Sequence, residues 1–246
     1  MSKPYQTTLR TIEIPGLEPL ELYTLLDRQQ YYDPKGAAER LGICSAAWPL
    51  FGMLWPSGYQ LALKVAKYDF AAEQRVLEIG CGLALASLTA HQLGINITAS
   101  DRHPLAKRFL YKNLEKNQLP LMSYRYGQWG QTGPVSVFDA GAPMLSGQYD
   151  VIIGSDLLYD PSSPQQVAEF IHQFAAPKAD VWVVDPNRGY RNRFSRAMAD
   201  YGFILAHDKK IQRPFQYDRA AEPQPYSGRF LVYKRQLNQS PVVLPC

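Results

Sequence analysis

Val76-Leu77-Glu78-Ile79-Gly80-Cys81-Gly82-Leu83-Ala84-Leu85-Ala86 is the stretch on which the fold turns. Residues 76–79 read as a short, mostly apolar strand that runs into two glycines. Residues 83–93 read as a helix that stops at Gly94, a good residue for the left-handed position just past a helix end. Glycines at a strand-to-helix turn let a ligand approach the backbone, because no Cβ stands between them. A dinucleotide-binding turn would place a third glycine at the position of Leu85, and Leu85 is bulky. A pyrophosphate would sit at the start of the following helix, where negative charge is favoured. Glu78, an acid just before the glycines, works against that ligand and suits a cation instead.

Working outward, the same alternation continues. Residues 95–100 form the next predicted strand, ending at Asp101, and residues 104–117 the next helix. Apolar strands follow at 151–154 and 181–184, helices at 164–174 and 191–201, and final strands at 203–207 and 229–234. Alternating strands and helices predict a Rossmann-like α/β fold: a doubly wound sheet of seven mostly parallel strands. Such sheets bind ligands beyond the carboxyl ends of their strands. Upstream, residues 9–14 and 21–26 flank Pro15-Gly16 and read as a small hairpin. Residues 48–57 are rich in aromatics and proline, and a helix is expected over 57–67 with Ser57 as its N-cap. The pattern therefore divides the chain into an N-terminal extension, residues 1–70, packed on a core domain, residues 71–246.

Composition narrows the class without naming a ligand. The 246 residues are 46% hydrophobic and 20% charged, which permits a sizeable core and excludes a disordered chain. The formal charge of +4 comes without long basic runs, so acidic partners are permitted but not demanded. The three cysteines, Cys44, Cys81 and Cys246, share no metal-ligand or disulfide spacing and fit a reducing cytosol. The chain starts on polar residues and has no apolar stretch of membrane-spanning length. A cytoplasmic protein without membrane contact is the expectation. The histidines His91, His103, His172 and His207 show no metal-ligand spacing, so no metal is expected.

Two acids and two turns define the candidate site. S-adenosylmethionine carries a sulfonium and an α-ammonium, which match Glu78, and Asp101 at the next strand end can accept hydrogen bonds from a ribose diol. "VLEIGCGLALASL" followed by "ITASD" resembles the first two motifs of seven-strand S-adenosylmethionine-dependent methyltransferases. That resemblance spans roughly residues 48–185. It implies that the glycine loop (Gly80, Cys81, Gly82) contacts the methionine part of the cofactor, with Glu78 and Asp101 as further contacts. Trp129, in Tyr126-Gly127-Gln128-Trp129, is a candidate to stack on adenine, with core packing as the other reading. The family often has an acid near this point for the adenine amino group. Here Gln128 stands in its place, and its amide oxygen can accept the same bond.

Gly154-Ser155-Asp156-Leu157-Leu158-Tyr159 follows another strand and so faces the same crevice. The amino-methylases of nucleic acids have prolines between their acid and aromatic; the leucines here argue against that chemistry. Asp-x-x-Tyr instead looks like the active-site motif of the protein-lysine branch of the family, which also has a Trp-rich segment ahead of the glycine loop. The resemblance implies that Asp156 and Tyr159 are catalytic and orient an amine. Trp55, in Trp55-Pro56-Ser57-Gly58, is a candidate for the cofactor mouth, with core packing as the other reading, and Ser155 is a further cofactor-binding candidate. A competing reading has Asp156 capping the following turn. Asp185-Pro186-Asn187-Arg188 also follows a strand and reads as a salt-bridged loop rather than a substrate contact. Residues 209–219 read as a solvated basic loop rather than a docking hairpin. The function expected is methylation of a protein lysine, leaving S-adenosylhomocysteine. A small amine, RNA, or a non-catalytic binding module are the alternatives, and the oligomeric state is open.

Overall fold

The structure is a computed structural model that describes residues 5–28, 33, 35–130, 135, 140–217 and 222–236. Cys246 and the end of the 209–219 segment lie outside them.

Nine strands and six α-helices are described. An antiparallel hairpin, β1 (Thr7–Ile12) and β2 (Leu20–Leu25), opens the chain. A short helix α1 (Ala37–Arg40), two single turns and helix α2 (Pro56–Val65) lead into the sheet. There follow β3 (Val76–Ile79), α3 (Leu85–Gln92), β4 (Ile97–Asp101), α4 (Ala106–Lys116), β5 (Ser123–Tyr126), β6 (Tyr149–Ser155), α5 (Ser163–Phe174), β7 (Ala175–Asp185), α6 (Arg191–Asp200), β8 (Ile204–Phe215) and β9 (Gln224–Arg235). The seven-stranded sheet runs β5-β4-β3-β6-β7-β9-β8. Neighbours from β5 to β7 are parallel, and β9 alone runs antiparallel, between β7 and β8. The order reverses between β3 and β6, so the ligand crevice of a doubly wound sheet belongs at their carboxyl ends.

Alternate residues of the central strands feed two cores. Val76, Ile153 and Val184 join the cluster under α2, α3, α4 and the hairpin. Leu77, Ile152 and Val183 join the cluster under α5 and α6. A parallel strand buried on both faces reads as a continuous apolar run, which is why β3, β6 and β7 were visible in sequence. Two asparagines of α4 hold the hairpin. The Asn113 and Asn117 carboxamide oxygens accept the Tyr23 and Glu21 backbone N–H at 2.8 and 2.7 Å, and the Asn117 amide donates to the Glu21 carbonyl at 2.8 Å.

Three expectations are corrected. Helix α2 begins at Pro56, with Trp55 as N-cap and no side-chain cap. Ser57 is buried inside the first turn, and its hydroxyl pairs with the Tyr226 hydroxyl at 2.9 Å. Strand β5 was not predicted, because Ser-Tyr-Arg-Tyr is polar and only Tyr124 and Tyr126 turn inward from this sheet edge. Residues 209–215 are not a loop but the continuation of β8. An exposed edge strand is rich in lysine and tolerates proline, so it reads as a loop in sequence although Ile211 and Phe215 are buried.

Candidate active site

A cavity of about 970 Å³ opens at the carboxyl ends of β3, β4 and β6, and every residue read from the sequence as catalytic or cofactor-binding lines it, as does Arg188 but not Asp185. That volume is at the upper end for a ligand site, enough for a nucleoside-sized ligand together with a reacting side chain.

On one wall lies the glycine loop. Gly80 and Gly82 have φ of 60° and 53°, a region that favours glycine. A Cβ on Gly82 would lie 3.0 Å from the Phe51 carbonyl oxygen, and one on Gly80 would lie 3.0 Å from both Leu157 and Trp129. The loop is thus pinched between the segment before α2 and the turn after β6. Helix α3 starts two residues later than the sequence pattern implies, because Ala84 takes a left-handed conformation as its N-cap and offers no side-chain oxygen. Glu78 supplies the cap from the strand. Its Oε2 accepts the Ser87 backbone N–H at 2.8 Å and the Ser87 hydroxyl as well. An anion at a helix start is favoured by the dipole and by the unpaired N–H groups there. Burial nevertheless pushes the Glu78 carboxyl up to about 7.

Asp101 ties the loop to its neighbour. One carboxylate oxygen accepts the Gly82 N–H and the other the His103 N–H, each at 2.8 Å. Each oxygen keeps a second lone pair, so acceptance from a diol is compatible with this role. Burial raises the Asp101 carboxyl, with the two amide bonds opposing. Neither Glu78 nor Asp101 forms a salt bridge among the described residues. His103 stacks on Phe51 at 3.7 Å between ring centroids, and burial drives it down to about 3, so it is a neutral wall. The Cys81 thiol is buried and pushed far up by burial, which makes it an unreactive lining group.

Trp129 sits half-buried against the Gly80 position and meets Phe170 edge-to-face, so it lines the cavity and packs at once. The Gln128 carboxamide oxygen accepts the Tyr126 hydroxyl, which fixes the amide and leaves a second lone pair on that oxygen for an adenine amino group. The Trp55 indole N–H donates to the Leu50 carbonyl at 2.9 Å, and the Arg28 guanidinium lies over its ring. Ser155 ends β6 and faces Gly58, where a Cβ would lie 3.6 Å from its hydroxyl.

The other wall carries Asp156 and Tyr159. Asp156 does not hold the turn ahead of α5; Asp160 does, its Oδ1 accepting the N–H groups of Ser162, the N-cap, and of Ser163 at 2.7 and 2.9 Å. Asp156 instead takes φ 57°, a strained conformation for a non-glycine residue, and lines the cavity. Its Oδ1 is paired with Arg188 at 2.9 Å, while Oδ2 is buried without a well-formed hydrogen bond. Burial raises the Asp156 carboxyl, and the Arg188 guanidinium opposes the rise. Tyr159 is 45% exposed at the mouth, where it lines the cavity together with Trp129. Sequence reading undervalued Arg188 and missed the lining by residues 40–53, where only the aromatic-rich stretch gave a signal.

The donor set fits a ligand with a positive centre and a diol. Two buried carboxylates at adjacent strand ends form no salt bridge among the described residues, although the charge of neighbouring Arg102 acts on Asp101; the glycine loop from Gly80 to Ala84 has no basic side chain for a phosphate, and an aromatic wall lies alongside.

Residues 51–200, more than half of the chain, match a family profile described as lysine methyltransferase. The chain is 30% identical over 126 residues to protein N-lysine methyltransferase METTL21A of Danio rerio, which covers 49% of this chain and 50% of that protein. It is 27% identical over 150 residues to protein-lysine methyltransferase METTL21E of Bos taurus, covering 58% of this chain and 50% of that protein. The chain spans about half the length of the curated relatives it matches. Among solved structures, magnesium protoporphyrin IX methyltransferase of Synechocystis PCC 6803 with bound S-adenosylmethionine superposes with a TM-score of 0.52 at 15% identity, covering 73% of this chain and 78% of that one. Ribosomal protein L11 methylase of Lactobacillus delbrueckii subsp. bulgaricus gives 0.53 at 13% identity, covering 75% and 81%. These two likenesses carry the fold alone.

Proposed function

The chain belongs to the lysine methyltransferase family, and from that premise we propose that it methylates the side-chain nitrogen of lysine in a protein substrate, with S-adenosylmethionine as donor and S-adenosylhomocysteine as product. The observation that carries the proposal is the placement of Asp156. It faces the cavity in a left-handed conformation while Asp160 holds the turn ahead of α5. Glu78, the Gly80–Gly82 loop and Asp101 would hold the cofactor, with Trp129, Trp55 and Ser155 beside it. The bound cofactor supplies an electrophilic methyl group on a sulfonium.

The acceptor nitrogen must arrive as a neutral amine with its lone pair aligned. A free lysine has a pKa near ~10.4, so it enters as an ammonium. The Asp156 carboxylate attracts that cation to the strand end, and Tyr159 walls the mouth and fixes its approach. The proton leaves to solvent before transfer. What the site contributes is orientation at close range rather than a strong base, which can supply much of the acceleration of a two-body reaction.

The test is methyl transfer from labelled S-adenosylmethionine into a lysine-containing protein pool, read as methyllysine after hydrolysis. Asp156→Asn should lower transfer about 100-fold, a loss typical for a group that orients the reacting atom, while S-adenosylhomocysteine still binds. Label that disappears with ribonuclease, or that is recovered as methylarginine, would replace the lysine reading. Wild-type rates in Asp156→Asn would remove Asp156 from the site.

A further inference from the structure

Asp185, at the end of β7, is buried and accepts the backbone N–H of Asn187 at 2.7 Å and of Arg188 at 3.3 Å through one oxygen. This folds residues 185–188 into a tight turn in which Asn187 takes φ 65°. The turn sends the Arg188 side chain back across the strand end to Asp156 on β6, 2.9 Å away, where both residues line the cavity. Asp156 is held from a second side too, since its own N–H donates to the Val184 carbonyl at 3.0 Å. The inner oxygens, Asp156 Oδ2 and Asp185 Oδ1, are both buried and lack a well-formed hydrogen bond. Around them stand the Ser57 hydroxyl of α2 and the Tyr226 hydroxyl of β9, bonded to each other at 2.9 Å. The charged groups of this cluster are therefore two carboxylates against one guanidinium.

We propose that Arg188 is a positioning residue for methyl transfer: held by Asp185, it fixes the Asp156 carboxylate in place and keeps it charged for the incoming amine. The proposal rests on Asp156 as the group that meets the acceptor. The physical case is a balance of charges. A buried carboxylate beside a second carboxylate is driven toward its neutral form, and a guanidinium in contact reverses that. Burial and the Asp185 charge both raise Asp156, and Arg188 is the cation that opposes them, with Tyr226, pushed up to about 12, remaining neutral. Without Arg188 the carboxyl becomes neutral at a higher pH and loses its attraction for an ammonium. With Arg188 the cluster keeps one net negative charge, which the lysine cation balances on arrival. Arginine suits the task because it stays charged at any working pH.

The experiment follows the Asp156 carboxyl directly. Carbon-13 label at aspartate Cγ, with the resonance assigned by Asp156→Asn, gives its titration midpoint in the wild type, Arg188→Met and Arg188→Lys. Arg188→Met should move the midpoint up by about one pH unit, the lower end of the range for losing a contacting cation because Arg188 is a third exposed. Arg188→Lys should return most of that shift. In transfer to a lysine peptide substrate, Arg188→Met should raise KM by up to about tenfold at a pH below both midpoints and change kcat less. An unmoved midpoint overturns the proposal, and so does a lowered KM in Arg188→Met, which would make Arg188 a competitor of the substrate cation. If Asp156→Asn methylates normally while the midpoint still shifts, the pair is real and the assignment of Asp156 is what fails.

Discussion

The two walls of the cavity use their carboxylates in different ways. On the β3–β4 side, Glu78 and Asp101 hold backbone amides on neighbouring turns: Ser87 for the first, Gly82 and His103 for the second. On the β6–β7 side, Asp156 and Asp185 each keep one buried oxygen without a well-formed hydrogen bond, and two non-glycine residues, Asp156 and Asn187, sit at positive φ. The first wall is pre-organised, as a site for a constant ligand should be. The second leaves buried carboxylate oxygens open to a reacting ligand, whereas left-handed non-glycine residues occur on both walls, Ala84 on the first and Asp156 and Asn187 on the second. The first, rigid wall should therefore respond to shape as well as to charge, and the β6–β7 wall mainly to charge.

The largest effect should come from shape on the rigid wall. Gly82→Ala places a methyl group 3.0 Å from the Phe51 carbonyl at a φ of 53°. Strain of about 1–3 kcal/mol there should weaken S-adenosylhomocysteine binding about 10- to 100-fold by isothermal titration. Gly189→Ala is the control in the other wall. Its φ is 90°, but nothing lies within 4 Å, so it should cost stability and leave cofactor affinity unchanged. Equal losses of affinity in both would erase the contrast between the walls.

Charge on the rigid wall gives the next effect. Burial raises Glu78 from 4.5 to about 7. Its folded-state value lies above its unfolded one, so folding favours the protonated form. That contribution is full below pH 4.5 and is lost as pH rises through about 7, at a cost on the order of 3 kcal/mol. A cationic ligand reverses the preference, because it favours the carboxylate. Cofactor affinity should accordingly rise by up to tenfold per pH unit below 7 and level off above. Glu78→Gln should flatten both curves, measured by titration calorimetry and by urea unfolding across pH 5 to 8. An unchanged slope in Glu78→Gln would assign the titration to Asp101.

How much of this was legible in the sequence follows from how local each contact is. The glycine loop and Asp101 could be read because strand, turn and helix occupy one continuous stretch, and buried parallel strands announce themselves as apolar runs. Asp156 and Tyr159 were legible for the same reason. The Glu78–Ser87 cap was not, because it replaces the expected capping residue with Ala84. The Arg188–Asp156 pair was not, because two separate strand ends must first be placed side by side by the sheet. Strand β5 and the outer part of β8 were missed because edge strands carry polar residues that resemble loops. Asn113 and Asn117 gave no signal because their partners are backbone groups of a hairpin some ninety residues earlier.

That distinction can be tested at its smallest scale by comparing two helix starts. The start of α5 is held locally by Asp160, two residues ahead of the Ser162 N-cap, and the start of α3 is held from a distance by Glu78. Asp160→Ala removes two amide bonds at an exposed turn and should cost about 1 kcal/mol of stability, with Asp160→Asn close to neutral. Asp160 also borders the cavity, next to Tyr159. If holding that turn is its whole task, Asp160→Ala should keep the wild-type kcat and KM for a lysine substrate at a temperature well below its lowered melting point. A fall in kcat that Asp160→Asn does not restore would mean that the Asp160 charge acts on the acceptor. The β6–β7 wall would then carry three working acids, and Asp156 would share its task with the residue that holds the turn beside it.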